Sequence, residues 1–293
     1  FRTIVIHIQI LDTTMVESKF TLEEQMMARA ISNATKARPR CMPNPWVGAV
    51  LVSSDGQTFD GFTQEFGSGH AETVCLNEAG QKAQGATLYV TLEPCSHSGK
   101  TGPCVERIIE SRISRVVIGM KDPDRQVCGE GIKSLQNAGV DVVVGVLEDL
   151  VAEQLAPYVH HRNTGRPYVI LKIATTLDGK VAAPDGSSQW ITGAQARREG
   201  HKLRAYSDAI CVGRGTVISD NPQLTVRDWS ADDDIDKNLD PRRIVLGNVP
   251  AEAAIHPCYE FSGDLLELLD ELGNDGVLPV SYTHLTLPTS YAV

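Results

Sequence analysis

The 293-residue sequence predicts an α/β protein of two units, and three observations carry that reading. The length exceeds what one hydrophobic core usually fills. From residue 47 onwards, short β-branched apolar runs alternate with segments of helical periodicity, which is the pattern of strands joined by helices around a largely parallel sheet. A polar, basic stretch, HHRNTGRP at 160–167, interrupts the alternation and reads as a linker.

The elements follow in order. Thr21 and Glu24 match the S/T-x-x-E capping box, and Leu22, Met26, Ala30 and Ile31 then recur at helical spacing. VGAVLVS (47–53) reads as a buried strand, HAETVCLNEAGQKA (70–83) as a helix and ATLYVTL (86–92) as a strand. A short helix is expected over 104–111, a strand over RVVIGM (115–120), and a glycine-ended helix over GEGIKSLQNAG (129–139). VDVVVGV (140–146) is another strand. Beyond the linker come strand YVILKIA (168–174), a helix from about Gln195 to Arg204, and strands DAICVG (208–213) and RRIVLG (242–247). The acidic DWSADDDIDKNLDP (228–241) is a solvated loop. The expected units are therefore 15–160 and 168–280, joined by 161–167. Met15 reads as a natural start, with 1–14 as translated upstream sequence. SYTHLTLPTSYAV (281–293) shows no periodicity with a clear partner and reads as a non-native end.

Composition removes several classes of function. Hydrophobic residues at 42% and charged residues at 22% are ordinary for a globular chain. No apolar run reaches bilayer length, and the first residues lack the basic flank and cleavage site of a signal peptide. A net charge of −10 argues against a general nucleic-acid binder, while leaving room for a local basic pocket that holds one phosphate. Seven cysteines, odd in number and irregular in spacing, point to a reducing cytosol rather than a disulfide scaffold.

The sharpest chemical signal is His-Ala-Glu at 70–72, followed by Pro-Cys at 94–95 and a second cysteine at 104. Zinc takes imidazole nitrogen and thiolate sulfur, so His70, Cys95 and Cys104 would leave one tetrahedral position for water. The metal lowers the pKa of that water. Glu72 is not needed as a ligand and is free to shuttle protons. The H-x-E…P-C-x-x-C pattern marks zinc deaminases. Here eight residues, SHSGKTGP, separate the cysteines and make a polar loop carrying His97, Ser98 and Lys100. Such a loop suits an anionic part of a substrate. Cys75 reads as core, and the other cysteines receive no role.

With these motifs on the page, the chain resembles a known family. VTLEPCSHSGKTGPC, PNPWVGAV (43–50) and GHAE (69–72) look like the deaminase domain of the bifunctional riboflavin-biosynthesis deaminase/reductase, over about residues 20–150. The resemblance implies a cytidine-deaminase-like α/β/α sandwich that removes the exocyclic amine of a diaminopyrimidinone ribosylamine 5′-phosphate. It further implies that Asn44 contacts the pyrimidine, that His97 and Lys100 lie near the phosphate, and that Asp122 shapes the pocket. Pro-Asn-Pro is also plain turn chemistry. Asp124 stands where the family usually carries Asn.

LKIATTLDGKVA (171–182), SSQWITG (187–193) and SDAICVGRGTVISDNPQLTVR (207–227) are similar to the reductase half, a dihydrofolate-reductase-like α/β domain that uses NADPH. By that resemblance Ala174, Trp190, Thr216 and Asp220 line the cofactor, and Ser188, Arg204, Leu224 and Arg227 meet the substrate. Arg204 and Arg227 suit a phosphate because guanidinium binds it in a fork. At Gly247 and Asn248 the family usually has an acidic residue and a serine. The family's V-E-G-G turn has no counterpart after Val280, so the second half is expected to be an incomplete reductase that does not reduce the sugar. The expected partner is a small phosphorylated pyrimidine, with no nucleic acid and no membrane; a homo-oligomer stays open. The competing readings are a cytidine- or guanine-type deaminase, which the spacer disfavours, and a zinc-stabilised binding module, which would need no Glu72.

Overall fold

A computed structural model of the chain describes residues 20–96, 102–124, 127–176, 179–180, 184, 192–227, 229 and 239–284. The first unit begins with α1 (Leu22–Ala37). Both halves of its capping box are formed: Glu24 N–H donates to Thr21 Oγ1 at 3.3 Å, and Thr21 N–H donates to Glu24 Oε2 at 2.7 Å. Then follow β1 (Gly48–Val52), β2 (Thr58–Phe62), α2 (Ala71–Ala79), β3 (Thr87–Leu92), α3 (Cys104–Glu110), β4 (Arg115–Met120), α4 (Glu130–Asn137) and β5 (Asp141–Val144). The sheet order is β2-β1-β3-β4-β5.

The sheet is mixed, where the sequence suggested a largely parallel one. Strands β3, β4 and β5 run parallel, but β1 is antiparallel to both β2 and β3. Residues 53–57 are too few for a crossover, so the chain can only fold back as a hairpin. That hairpin strand, β2, was not foreseen. Alternate residues of the strands feed two apolar layers, because side chains alternate across a pleated sheet. Leu88, Val90, Val116 and Ile118 pack with Ala71, Val105 and Leu135 from α2, α3 and α4. Tyr89 and Val117 pack with Met27 and Ala30 from α1.

Helices α5 (Glu148–Gln154) and α6 (Ala156–Thr164) close the unit. Most of the stretch expected to be a linker is thus the end of α6, and Gly165 caps it with φ +73°, its N–H donating to His161 O at 2.8 Å. Its polar look misled because the helix buries only Pro157, Tyr158 and His161, which leaves a weak apolar stripe. Only residues 165–167 connect to the next strand.

The second unit contains β6 (Tyr168–Ile173), α7 (Ala194–Ala205), β7 (Ala209–Gly213), α8 (Arg214–Asp220), β8 (Arg242–Leu246), β9 (Tyr259–Phe261), α9 (Leu265–Asn274) and β10 (Pro279–His284). Its sheet is parallel, in the order β6-β10-β7-β8-β9. The expected end at residue 280 is corrected here. Residues 281–284 continue β10, with Tyr282 opposite both Leu171 and Cys211, and Ser281 is buried. The pairing partners lie far back in the chain, so no local periodicity could reveal them. Residues 285–293 and 1–19, including Met15, lie outside the described residues. The two units touch: Leu278 joins the first core, and the Arg38 guanidinium stacks between the Trp46 ring at 4.9 Å and the Tyr206 ring at 4.7 Å.

Candidate metal centre and active site

Close packing at two glycines sets the frame of the site. A Cβ on Gly61 would lie 2.2 Å from Ala71 O, so only glycine lets α2 rest on β2 and bring His70 and Glu72 to the sheet. A Cβ on Gly131 would lie 2.1 Å from Pro94 O, so α4 can approach the end of β3 only through glycine. The centre forms between these elements. His70 immediately precedes α2, Glu72 is in its first turn, Cys95 follows β3, and Cys104 opens α3.

His70 Nδ1 lies 3.2 Å from Cys104 Sγ and 3.6 Å from Cys95 Sγ. In a tetrahedral zinc site, bond lengths of about 2.3 Å to sulfur and 2.0–2.1 Å to nitrogen put those atoms roughly 3.5 Å apart. All three donor atoms lie within 4.8 Å of one another. The residues therefore fit zinc both in donor chemistry and in spacing. Hydrogen bonds from Cys104, from His70 and from the Cys104 backbone N–H hold Cys95 down to about 4, and the same pairing holds the Cys104 thiol up. Glu72 is 4% exposed, and burial followed by the charge on Cys95 raises its pKa, so it holds a proton more readily than an ordinary carboxylate.

A cavity of about 170 Å³ opens onto His70, Glu72 and Cys95. Asn44 lines it, even though its N–H also closes a turn on Cys41 O at 2.8 Å, so the turn and the lining role coexist. Asp122 lines it too, buried, accepting from Asp124 N–H at 2.8 Å and from Tyr158 Oη–H at 3.0 Å. Burial raises the Asp122 carboxyl. Asp124 meets Arg162 at 3.4 Å. His97 and Lys100 lie outside the described residues.

Three residues of this cavity escaped the sequence reading. Glu93, just before Pro94-Cys95, is buried and gathers four backbone N–H groups. Its Oε2 accepts from Asp122 at 3.3 Å and Gly129 at 3.0 Å, and its Oε1 accepts from Gly131 at 3.0 Å and Ile132 at 3.2 Å. It pins the start of α4 to the strand end that carries Cys95. Its signal was visible, since a carboxylate abutting the Pro-Cys pair invites a structural question. Tyr158 and Arg162 come from α6, with the Arg162 guanidinium 5.0 Å from the Tyr158 ring. The linker reading hid Arg162.

In the second unit, Arg204 and Arg227 come together with Lys172. Arg204 Nη1 donates to Thr225 O at 2.6 Å. Burial and then Arg227 lower its pKa to about 10, and burial and then Arg204 lower that of Lys172. Leu224 adopts φ +55° and buries its side chain with Ile210, Val212 and Val245. Thr216 is buried on α8, Asp220 is exposed at its end, and Ala174 follows β6 half-buried. Ser188 and Trp190 lie outside the described residues.

Sheet, helices and centre together define a zinc-binding deaminase domain followed by a parallel α/β domain. The family described as the cytidine and deoxycytidylate deaminase zinc-binding region matches residues 21–120, and the RibD C-terminal domain matches residues 167–256. The riboflavin biosynthesis protein RibD of Escherichia coli K12 is 41% identical over 249 residues, covering 83% of this chain and 68% of that protein. Its counterpart in Aquifex aeolicus is 46% identical over 206 residues, covering 70% of this chain and 58% of that one. Among solved structures, Acinetobacter baumannii RibD superposes with a TM-score of 0.81 at 37% identity, over 89% of this chain and 80% of that one. A Thermotoga maritima diaminohydroxyphosphoribosylaminopyrimidine deaminase/5-amino-6-(5-phosphoribosylamino)uracil reductase gives 0.79 at 37% identity, over 89% and 80%. The chain belongs to the RibD family of riboflavin biosynthesis proteins, with a zinc-binding deaminase domain and a reductase-like domain. Among the described residues no helix is long and apolar enough to cross a membrane.

Proposed function

We propose that the first unit, placed at 15–160, hydrolytically deaminates a diaminopyrimidinone ribosylamine 5′-phosphate to the corresponding aminouracil, with release of ammonia. The observation that carries this reading is the convergence of His70, Cys95 and Cys104 beside a buried Glu72 at the floor of a cavity. Those three residues would hold zinc, which would lower the pKa of a water beside Glu72. Glu72 takes one proton from the attacking water and passes it to the ring nitrogen, then takes the remaining hydroxyl proton from the tetrahedral carbon and gives it to the departing amine as the C–N bond breaks; its raised pKa suits the donating half of that task. Asn44 orients the pyrimidine. Arg162, with the loop carrying His97 and Lys100, meets the phosphate. A reducing, cytosolic setting agrees with seven free cysteines.

The second unit, from residue 168 onwards, is reductase-like and carries a group suited to the phosphate of the deaminated product. Its support is the cationic group Lys172, Arg204 and Arg227; burial together with the neighbouring positive charge lowers the pKa of Lys172 and of Arg204, which marks positive charge that an anion would relieve. The test is ammonia release from the ribosylamine phosphate beside cytidine and guanine, with NADPH oxidation followed in parallel and deamination without oxidation as the expected outcome. Ammonia from cytidine or guanine alone would refute the substrate assignment.

A further inference from the structure

The second unit holds another group of metal-ligating side chains, remote in sequence from the deaminase centre. His256, Cys258 and Glu260 stand two residues apart where the chain enters β9, and the fold gathers all three donor groups in one place. One nitrogen, one sulfur and one carboxylate oxygen lie within 4.8 Å of one another.

Two details show a preset arrangement. His256 Nε2–H donates to Pro250 O at 3.0 Å, which fixes the tautomer and leaves the Nδ1 lone pair free. Metal-ligating histidines are commonly held this way, by a backbone carbonyl on the far ring nitrogen. That Nδ1 lies 3.5 Å from Cys258 Sγ. The separation matches the roughly 3.5 Å edge of a tetrahedral zinc site and falls between the two nitrogen–sulfur distances at the deaminase centre. Glu260 is oriented as well. Its Oε2 accepts from Val249 N–H at 3.0 Å, which orients the carboxylate that supplies the third donor.

We propose that His256, Cys258 and Glu260 form a second site for a zinc-like divalent metal, bound through Nδ1, Sγ and a carboxylate oxygen. The thiol proton that now lies between sulfur and nitrogen is released when the metal binds. The metal ties edge strand β9 to the 249–250 turn through its three ligands and their carbonyl and N–H partners. The fourth position faces outward, since Glu260 is exposed and His256 half-exposed. The site is independent of the deaminase assignment, because it shares no residue with it.

The test uses the full chain loaded with zinc, passed through a desalting column and analysed for metal per chain. Two equivalents are expected in the parent, and one in Cys258→Ser and in His256→Gln. Both variants should keep the parent's ammonia-release rate and its melting temperature in the absence of added zinc. Glu260→Gln should weaken the second equivalent at least about tenfold. Cobalt added to the one-zinc protein should produce a thiolate-to-metal absorption band that Cys258→Ser abolishes. If Cys258→Ser fails to fold, His256→Gln decides, because its ring packs in no apolar cluster. A single equivalent in the parent, or two equivalents retained in His256→Gln, overturns the proposal.

Discussion

Two histidine–cysteine clusters with nearly the same nitrogen–sulfur spacing sit in opposite settings. At the first, Glu72 is buried beside the donor atoms, hydrogen-bonded to its own backbone N–H and to Cys104, and a cavity opens onto it. At the second, the carboxylate of Glu260 is exposed and accepts from Val249 N–H. Donor geometry therefore sets only whether a metal can be held. Whether chemistry follows depends on a buried carboxylate facing a cavity, where its proton affinity is raised.

The strongest way to break this contrast is Glu72→Gln. It should keep zinc and lower the ammonia-release rate by about 10³-fold, within the range general acid–base groups supply. Steady-state kinetics with metal analysis decides it, and a variant turning over like the parent removes the proton shuttle. Glu260→Gln should leave that rate untouched.

Charge burial can be compared between the units as well. Asp208, at the base of β7, is pushed up to about 7 by burial, against the pull of Leu278 N–H at 2.7 Å and of Arg38. An acid whose folded pKa lies above its unfolded value near 4 keeps its proton longer in the native state. Stability should therefore fall as pH rises from about 4 to about 7, by up to about 1.4 kcal/mol per pH unit from this group. Asp208→Asn, which can still accept from Leu278, should flatten that slope in denaturant titrations run across the window. An unchanged slope would show that Asp208 ionises normally in the fold.

Glu93→Gln should cost about 1–3 kcal/mol and reduce zinc occupancy, because an amide NH₂ would face two of the four backbone N–H groups that the carboxylate now satisfies. The matching change at Glu260, with one accepted N–H and an exposed side chain, should move stability by less than about 0.5 kcal/mol. Thermal melts of the two variants side by side check the difference. Smallest is Arg162→Ala, expected to raise KM for the phosphorylated substrate about tenfold with kcat little changed, since a charge-assisted contact is lost equally from ground and transition states. An equal KM rise for the unphosphorylated nucleoside would take Arg162 off the phosphate.

Most of the first unit's centre was legible in the sequence, because its chemistry is written in short spans. His70 and Glu72 are two residues apart, Cys95 sits in a Pro-Cys pair, and the helix start at Thr21 carries its own capping partner at Glu24. The second unit was legible mainly by likeness. Its cationic group joins β6, α7 and the 225–227 segment, and nothing local to Lys172, Arg204 or Arg227 announces the others.

By itself the sequence determined the His70, Cys95 and Cys104 donor set, the glutamate beside it and the alternation of strands and helices, all of which depend on residue type and near spacing. Tertiary structure alone decided three other things. It placed β10 between β6 and β7, because hydrogen-bond pairing between strands so far apart in the chain, Val280 with Val169 and with Ala209, leaves no local mark. It turned the expected linker into α6 and brought Arg162 to the cavity, because a helix that buries few residues looks polar until its neighbours are known. And it gathered four N–H groups from the 122–132 segment onto Glu93, because backbone donors, identical at every residue, become distinctive only when the fold brings them to one carboxylate.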